Sequence, residues 1–363
     1  MRIALICDRW DHRGGGLELW AWRFVAEMGQ RGHSMHVVTF DARSPANGAT
    51  LHPIEPRRGK VARAEAVEPV ADRLGADIVH DTGVGWTYDV IHPQAGSKMA
   101  NYRRDLASRP WPQRRLWQLR PARWAWRRDV RELERRQYQQ SDGIVLAVSN
   151  KVADDLRQLY DISDDRFRFV PNAIDTERFT PARRLALREQ ARQHYGYRDE
   201  TVFLFSALNP LLKGTRPLLR AMRRLRNCRL LMIGAEPPTE YRDIDNVTFG
   251  GYADDAMFPL AAADAAVHPT YYDACSLTTL EAWSCGLPVI TTRFNGASDL
   301  MQDGVEGFLL DDPDNDRALE QAMQSLTDPS IREAMAQPAR TLALNNNYER
   351  YLEKIEAVYR SVP

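Results

Sequence analysis

Short apolar runs alternate with stretches of helical period along most of the chain, and this alternation limits the fold more than any other feature. The runs are Ile3–Cys7, Met35–Thr39, Ile78–His80, Val90–His92, Gly143–Val148, Phe167–Val170, Val202–Ser206, Arg229–Ile233, Val247–Phe249, Ala265–His268, Pro288–Thr291 and Gly307–Leu310. Most are continuously apolar, as expected of strands covered on both faces. Between them, Leu17–Arg31, Asn150–Tyr160, Arg216–Arg224 and Asn315–Ser325 carry apolar residues at helical spacing. Covered strands alternating with helices mean parallel sheets joined by crossover helices. At 363 residues the chain is too long for one small core. The runs divide into two sets, which predicts two doubly wound domains. The break falls near Pro171–Pro181, where two prolines bracket a polar turn.

Composition narrows the class. Apolar residues make up 44%, enough for large cores, and 49 basic residues cancel 49 acidic ones. Any electrostatic targeting must therefore come from local asymmetry. Cys7, Cys228, Cys275 and Cys285 form no C-x-x-C pair and lie in or beside apolar runs, which favours reduced thiols over a disulfide or zinc framework. Asp8 and Arg9 end the first run too early for a signal segment. No apolar run approaches the roughly 18 residues of a membrane span.

The segment Tyr272–Trp283 carries the clearest chemistry. Asp273 and Glu281 flank an uncharged turn that reads as a helix start, with Ser276 as N-cap. Such an end would present free N–H groups at Leu277, Thr278 and Thr279, and its partial positive charge suits a phosphate or diphosphate. A carboxylate on each side could grip neutral hydroxyls. Lys213-Gly214 closes a loop just after a strand of the same domain, where parallel sheets bind ligands. Arg13-Gly14-Gly15-Gly16-Leu17-Glu18 follows the first strand and opens a helix; its glycines let backbone approach an anion, or simply make the turn.

Arg103–Arg136 holds 12 arginines against Asp105, Asp129, Glu132 and Glu134, with Trp111, Trp117, Trp124 and Trp126 interleaved and Pro110, Pro112 and Pro121 interrupting. Arginine with tryptophan suits an interfacial contact with anionic lipid, at about 1 kcal/mol per basic residue near the surface. A solvated helix face and a nucleic-acid grip are the alternatives, the former best at Arg127–Arg136, where Glu132 and Arg136 pair at i, i+4. The residues assigned to the contact are Arg114, Arg115, Trp117, Arg120, Trp124 and Arg127. His80 and His92 stand at strand ends without metal-ligand spacing.

With these marks in place, the whole chain resembles the retaining GT-B glycosyltransferases of family 4, and within them the transferases of the lipopolysaccharide core. The resemblance rests on Gly15, Gly16 and Glu18, on Arg31-Gly32-His33, on the Asn172–Phe179 linker, on Lys213-Gly214 and on Asp273 with Leu280–Ile290. It implies an α/β GT-B architecture: two doubly wound, Rossmann-like domains facing a cleft. An acceptor domain would span residues 1–171, joined by a C-terminal helix from 346–363, and a nucleotide-sugar domain residues 172–345. By the same resemblance Glu281 would hold the ribose hydroxyls, and Asp273, where the family usually has glutamate, would touch the transferred sugar. Lys213 and the backbone of Ser276–Thr279 would neutralise the departing diphosphate. Gly15 and Gly16 would close over the same phosphates, and His92 would stand near sugar and acceptor. Leu208 replaces an arginine that often precedes the lysine, and Ala173 a linker glycine.

The expected activity is retaining transfer of a hexose, with UDP-glucose as the expected donor, to a lipid-linked or lipopolysaccharide core acceptor. No metal or other cofactor is expected beyond the nucleotide-sugar co-substrate. The partners would be donor, acceptor and the anionic inner face of the cytoplasmic membrane, with the protein cytoplasmic and peripheral; no nucleic acid is expected. A transferase for a soluble acceptor, and a non-catalytic nucleotide-sugar or nucleic-acid binding module, remain the alternatives.

Overall fold

The computed structural model describes residues 1–234 and 243–362. Its strands are β1 (Arg2–Trp10), β2 (Ser34–Ala42), β3 (Thr50–Pro53), β4 (Ile78–Asp81), β5 (Val90–Ile91), β6 (Ile144–Ala147), β7 (Phe167–Phe169), β8 (Thr201–Ala207), β9 (Cys228–Gly234), β10 (Val247–Phe249), β11 (Ala265–His268), β12 (Val289–Thr292) and β13 (Gly307–Leu310). Every expected strand is present within a few residues, and β3 is additional. The helices Gly16–Gln30, Asn150–Tyr160, Thr215–Arg224 and Asp316–Ser325 stand where the apolar spacing places them.

The chain forms two compact units. The first comprises residues 1–103, 110–170 and 352–363, the second residues 104–109 and 171–351. The returning segment thus joins the first unit at Leu352, inside the helix Tyr348–Arg360, rather than at 346. The first sheet runs β3-β2-β1-β4-β5-β6-β7 and the second β10-β9-β8-β11-β12-β13, with every pairing parallel. In each, the winding direction reverses between two central strands, β1 and β4 in one and β8 and β11 in the other. Ligands of doubly wound sheets bind beyond the carboxyl ends of strands at that reversal.

Burial explains why the runs read as continuous apolar stretches. Ile3, Ala4, Leu5 and Ile6 of β1 are fully buried, because helices cover both sheet faces. In the second unit Phe203, Leu230, Val267 and Ile290 pack with Leu218, Leu219 and Met222 of the helix Thr215–Arg224. Each such side chain contributes about 1.5–3 kcal/mol through burial, and truncating one to alanine would cost about 2–5 kcal/mol. All four cysteines are buried, unpaired thiols.

Candidate functional site

In the second unit, two loops sixty residues apart in sequence meet at the β8/β11 reversal. Backbone and hydroxyl bonds join them: Tyr271 N donates to Leu212 O (2.8 Å), as does Thr270 Oγ1 (3.1 Å). Gly214 adopts a left-handed φ of +87°, and a Cβ there would lie 1.9 Å from the Pro269 carbonyl oxygen, so only glycine lets the loops approach this closely. The approach aims Lys213 at Asp273. Its Nζ donates to Asp273 Oδ2 at 2.6 Å and to Tyr272 O at 3.2 Å.

His268, the last residue of β11, completes the cluster with Nε2 3.0 Å from the same carboxylate oxygen. Burial favours the neutral form of Asp273, but Lys213 and His268 outweigh it and hold the carboxyl well below its usual range. Burial likewise keeps His268 below its ordinary value, against the pull of Asp273. The result is a half-enclosed cation on a charged carboxylate, with a mostly neutral imidazole behind it.

The helix Leu277–Ser284 begins beside this cluster, and Ser276 caps it as expected, its Oγ accepting from Thr279 N at 3.3 Å. That bond corrects one expectation: the Thr279 N–H is already engaged, leaving those of Leu277 and Thr278 without an intrahelical partner. Asn295 is the residue the sequence did not reveal. Fully buried, it accepts from Ser276 N (3.2 Å) and Ala297 N (3.1 Å) and donates to Thr279 Oγ1 and Thr291 Oγ1 (3.0 Å each). It fixes the helix start against β12, while Asp273 N donates to Phe294 O and Gly296 N to Asp273 O. Its only outward signal is an Asn-Gly turn after a strand.

Glu281 lies one turn into the helix and is partly buried. Burial pushes its carboxyl up to about 7, against the attraction of Arg178. Among the described residues its carboxylate makes no hydrogen bond, so its acceptor capacity is open to a diol. The second unit therefore offers a cation and two helix N–H groups for an anion, with carboxylates at 273 and 281 for hydroxyls.

In the first unit, Gly15 is the N-cap of the helix Gly16–Gln30. Neither Gly14 nor Gly15 has a left-handed φ. A Cβ on Gly14 would lie 2.8 Å from that of Glu18, so here glycine makes room for a carboxylate in the first helical turn. His92 is placed differently from the expectation. Its exposure is 0%, because it follows β5 into a core of aromatic rings, edge-on to Trp20 and with Nδ1 3.2 Å from His80 Nε2. His80 in turn meets the Tyr359 hydroxyl. Burial drives both imidazoles to the neutral form, His80 to about 3. His92 thus has no solvent face from which to touch a sugar.

The arginine-rich segment folds as the helices Trp111–Gln118 and Pro121–Gln139, and its prolines start helices rather than break them, Pro112 and Pro121 lying in first turns. No residue of Trp111–Gln118 is buried, and Trp111, Leu116, Leu119 and Trp124 are 63–77% exposed. Arg123 lies over Trp117 (4.1 Å), Arg120 over Trp117 (5.0 Å) and Arg115 over Trp111 (4.9 Å). Arg114, Arg120 and Arg127 belong to the same stretch. Glu132 pairs with Arg136 (2.7 Å) and Arg135 (2.9 Å), as a solvated face would. Glu134 is instead buried, accepting from Lys98 N (2.6 Å), Met99 N and the Ser97 and Tyr160 hydroxyls. Among the described residues, no helix is long and apolar enough to cross a membrane.

Comparison with known proteins finds two family models along the chain. Residues 14–178 match the family model described as Glycosyltransferase Family 4, and residues 199–328 the model described as Glycosyl transferases group 1. The chain is 29% identical over 234 residues to a D-inositol 3-phosphate glycosyltransferase of Saccharomonospora viridis, covering 57% of this chain and 53% of that one. It is 26% identical over 213 residues to the lipopolysaccharide glucosyltransferase WaaG of Escherichia coli, covering 55% and 57%. The matches thus span little more than half the length of these curated relatives. The crystal structure of WaaG superposes with a TM-score of 0.79 at 22% identity over 98% of each chain. Anabaena HepE in complex with UDP-glucose gives 0.71 at 16% identity over 99% of each. These likenesses show the fold.

Proposed function

The chain belongs to the GT-B glycosyltransferases of family 4, and on that premise we propose that it transfers a hexose, with retention, from a nucleoside-diphosphate sugar to a lipid-linked or lipopolysaccharide core acceptor at the cytoplasmic membrane face. The observation that carries the reading is the Lys213–Asp273 pair at the β8/β11 reversal, beside the open start of the helix Leu277–Ser284. As the glycosidic bond to the diphosphate breaks, negative charge grows on the leaving oxygens. A fixed ammonium and two backbone N–H groups stabilise that charge at the moment it develops. Glu281 would take the ribose hydroxyls and Asp273 a hydroxyl of the sugar. In front-face transfer the leaving phosphate accepts the acceptor's proton, so no separate base is required. With the charge carried this way, chelation of divalent cations should leave turnover unchanged.

UDP and glucose are the donor parts we favour, because HepE, of similar fold, binds UDP-glucose. The membrane acceptor is favoured by the helix Trp111–Gln118: eight residues with none buried are marginal alone in water, and an anionic surface would cover their Trp and Leu side chains. The test is release of nucleoside diphosphate from a panel of nucleotide sugars by the wild type and by Lys213→Ala, Asp273→Ala and Glu281→Ala. Undiminished turnover in all three variants would refute the assignment. Failure of the protein to sediment with anionic vesicles would move the acceptor to the soluble class.

A further inference from the structure

The first unit holds a cavity of about 180 Å³ beyond the carboxyl ends of β1 and β4, at its own point of reversal. This is below the roughly 300–1,000 Å³ of pockets for drug-sized ligands, so it suits one small group rather than a nucleotide. Its lining is basic: Lys60 and Arg63 from the helix Lys60–Arg73, and Lys98 from the start of the helix Lys98–Ala107, face a single lining carboxylate, Asp8 of β1. Arg63 binds Asp8 through one guanidinium nitrogen, and Lys60 Nζ stands 3.5 Å from the other carboxylate oxygen. Lys98 Nζ donates to Gly83 O at 2.6 Å. An ammonium has three donors and a guanidinium five, so each cation keeps donors beyond these bonds. The nearby carboxylate of Asp81 is occupied from within, accepting from the N–H groups of Gly83 (2.5 Å), Val84 (2.6 Å) and Gly85 (2.7 Å). Side chains of Lys60 and Arg63 are only about a third exposed, so water screens them less than surface cations.

We propose that this cavity binds a phosphate monoester carried by the acceptor. Three cations converging from two helices match the three terminal oxygens of a phosphate ester, and Arg63, whose Nε donates to Arg57 O (3.0 Å) and Nη1 to Asp8, turns its remaining N–H groups to one of them. The ester oxygen leads to the sugar or polyol that bears the reacting hydroxyl. The inference rests on the reading of the first unit as the acceptor side of a transferase, and it narrows that acceptor to a phosphorylated one.

Calorimetric titration of the whole protein with glucose 6-phosphate, glucose, glucuronate and inorganic phosphate tests it. Glucose 6-phosphate should bind at least about tenfold more tightly than glucose or glucuronate. Lys60→Gln and Arg63→Gln should each weaken it about tenfold, and Arg63→Lys less. Lys213→Ala should leave it unchanged, which separates this cavity from the anion site of the second unit. Nucleoside diphosphate binding within twofold of wild type shows that each variant is folded. Equal affinity for glucose and its phosphate, equal affinity for glucuronate, binding of inorganic phosphate alone, or indifference to Lys60→Gln and Arg63→Gln would each overturn the proposal. Loss of donor cleavage with sugar-phosphate binding intact would instead refute the transferase reading and leave the cavity's ligand standing.

Discussion

Replacing Lys213 by methionine keeps the side-chain length and removes the charge, leaving Asp273 with His268 alone. The two side chains of the pair retain 21% and 17% of their exposure. Removing one partner of a fully buried pair costs about 3–5 kcal/mol, and the residual solvent contact lowers the expected loss to about 2–3 kcal/mol. At about 2–4 °C per kcal/mol for a unit of this size, melting should fall by about 4–12 °C. The pH dependence discriminates further. In the wild type the folded carboxyl sits below its unfolded value of about 3.9, so the pair's contribution is complete above that value and fades only as pH falls through the folded one. Without Lys213, burial pushes Asp273 upward, and the variant carries a poorly compensated charge at about pH 7.5 that it sheds on acidification. His268, released from the repulsion of Lys213, also protonates more readily and pairs with Asp273. Both effects act in one direction: the gap in melting temperature is widest near neutrality and narrows toward about pH 4.5. Thermal melts of both proteins across that range measure it. A gap that stays constant or widens in acid would refute the assignment of Asp273's charge to Lys213.

Gly214→Ala would drive a methyl group into the Pro269 carbonyl at a left-handed φ, costing about 2 kcal/mol or more and weakening diphosphate binding by displacing Lys213; melts and titrations with nucleoside diphosphate measure both. Ser276→Ala removes the helix cap at a cost of about 1 kcal/mol, read from denaturant midpoints, and returns the Thr279 N–H to the site. Glu281→Gln removes a carboxyl whose folded value, about 7, lies above its unfolded one. Ionising it costs stability as pH rises between those values, so the variant should gain up to about 2–3 kcal/mol over wild type from about pH 5 to pH 8 while losing donor affinity.

The sheets were legible because parallel strands are apolar on both faces, which makes Ile3–Cys7 or Ala265–His268 stand out without any partner in view. β3 escaped because four residues, Thr-Leu-His-Pro, at a sheet edge carry neither a run nor an alternation. The helix start at Ser276 was legible from its cap, whereas the engagement of Thr279 N by that cap is a matter of geometry. Lys213 and Asp273 were each visible, but their contact depends on Gly214 fitting under Pro269. His268 could have been suspected as a polar residue ending a central strand. Asn295 could not, since its four bonds run to three separate elements. His92 shows the converse: strand-end position marked it out, while its 0% exposure follows from Trp20 and His80 closing over it.

The helix Tyr348–Arg360 has a consequence for the order in which this protein can be made. Leu352 and Ile355 are fully buried in the first unit, Tyr359 reaches His80, and Glu356 holds Arg31 and His33. All of β1–β7 therefore leaves the ribosome long before the residues that finish its core exist. Until chain growth passes residue 351, the first unit waits with an open apolar face and with His80 Nδ1 still lacking the Tyr359 hydroxyl, while the second unit, whose strands are already complete, is free to fold ahead of it.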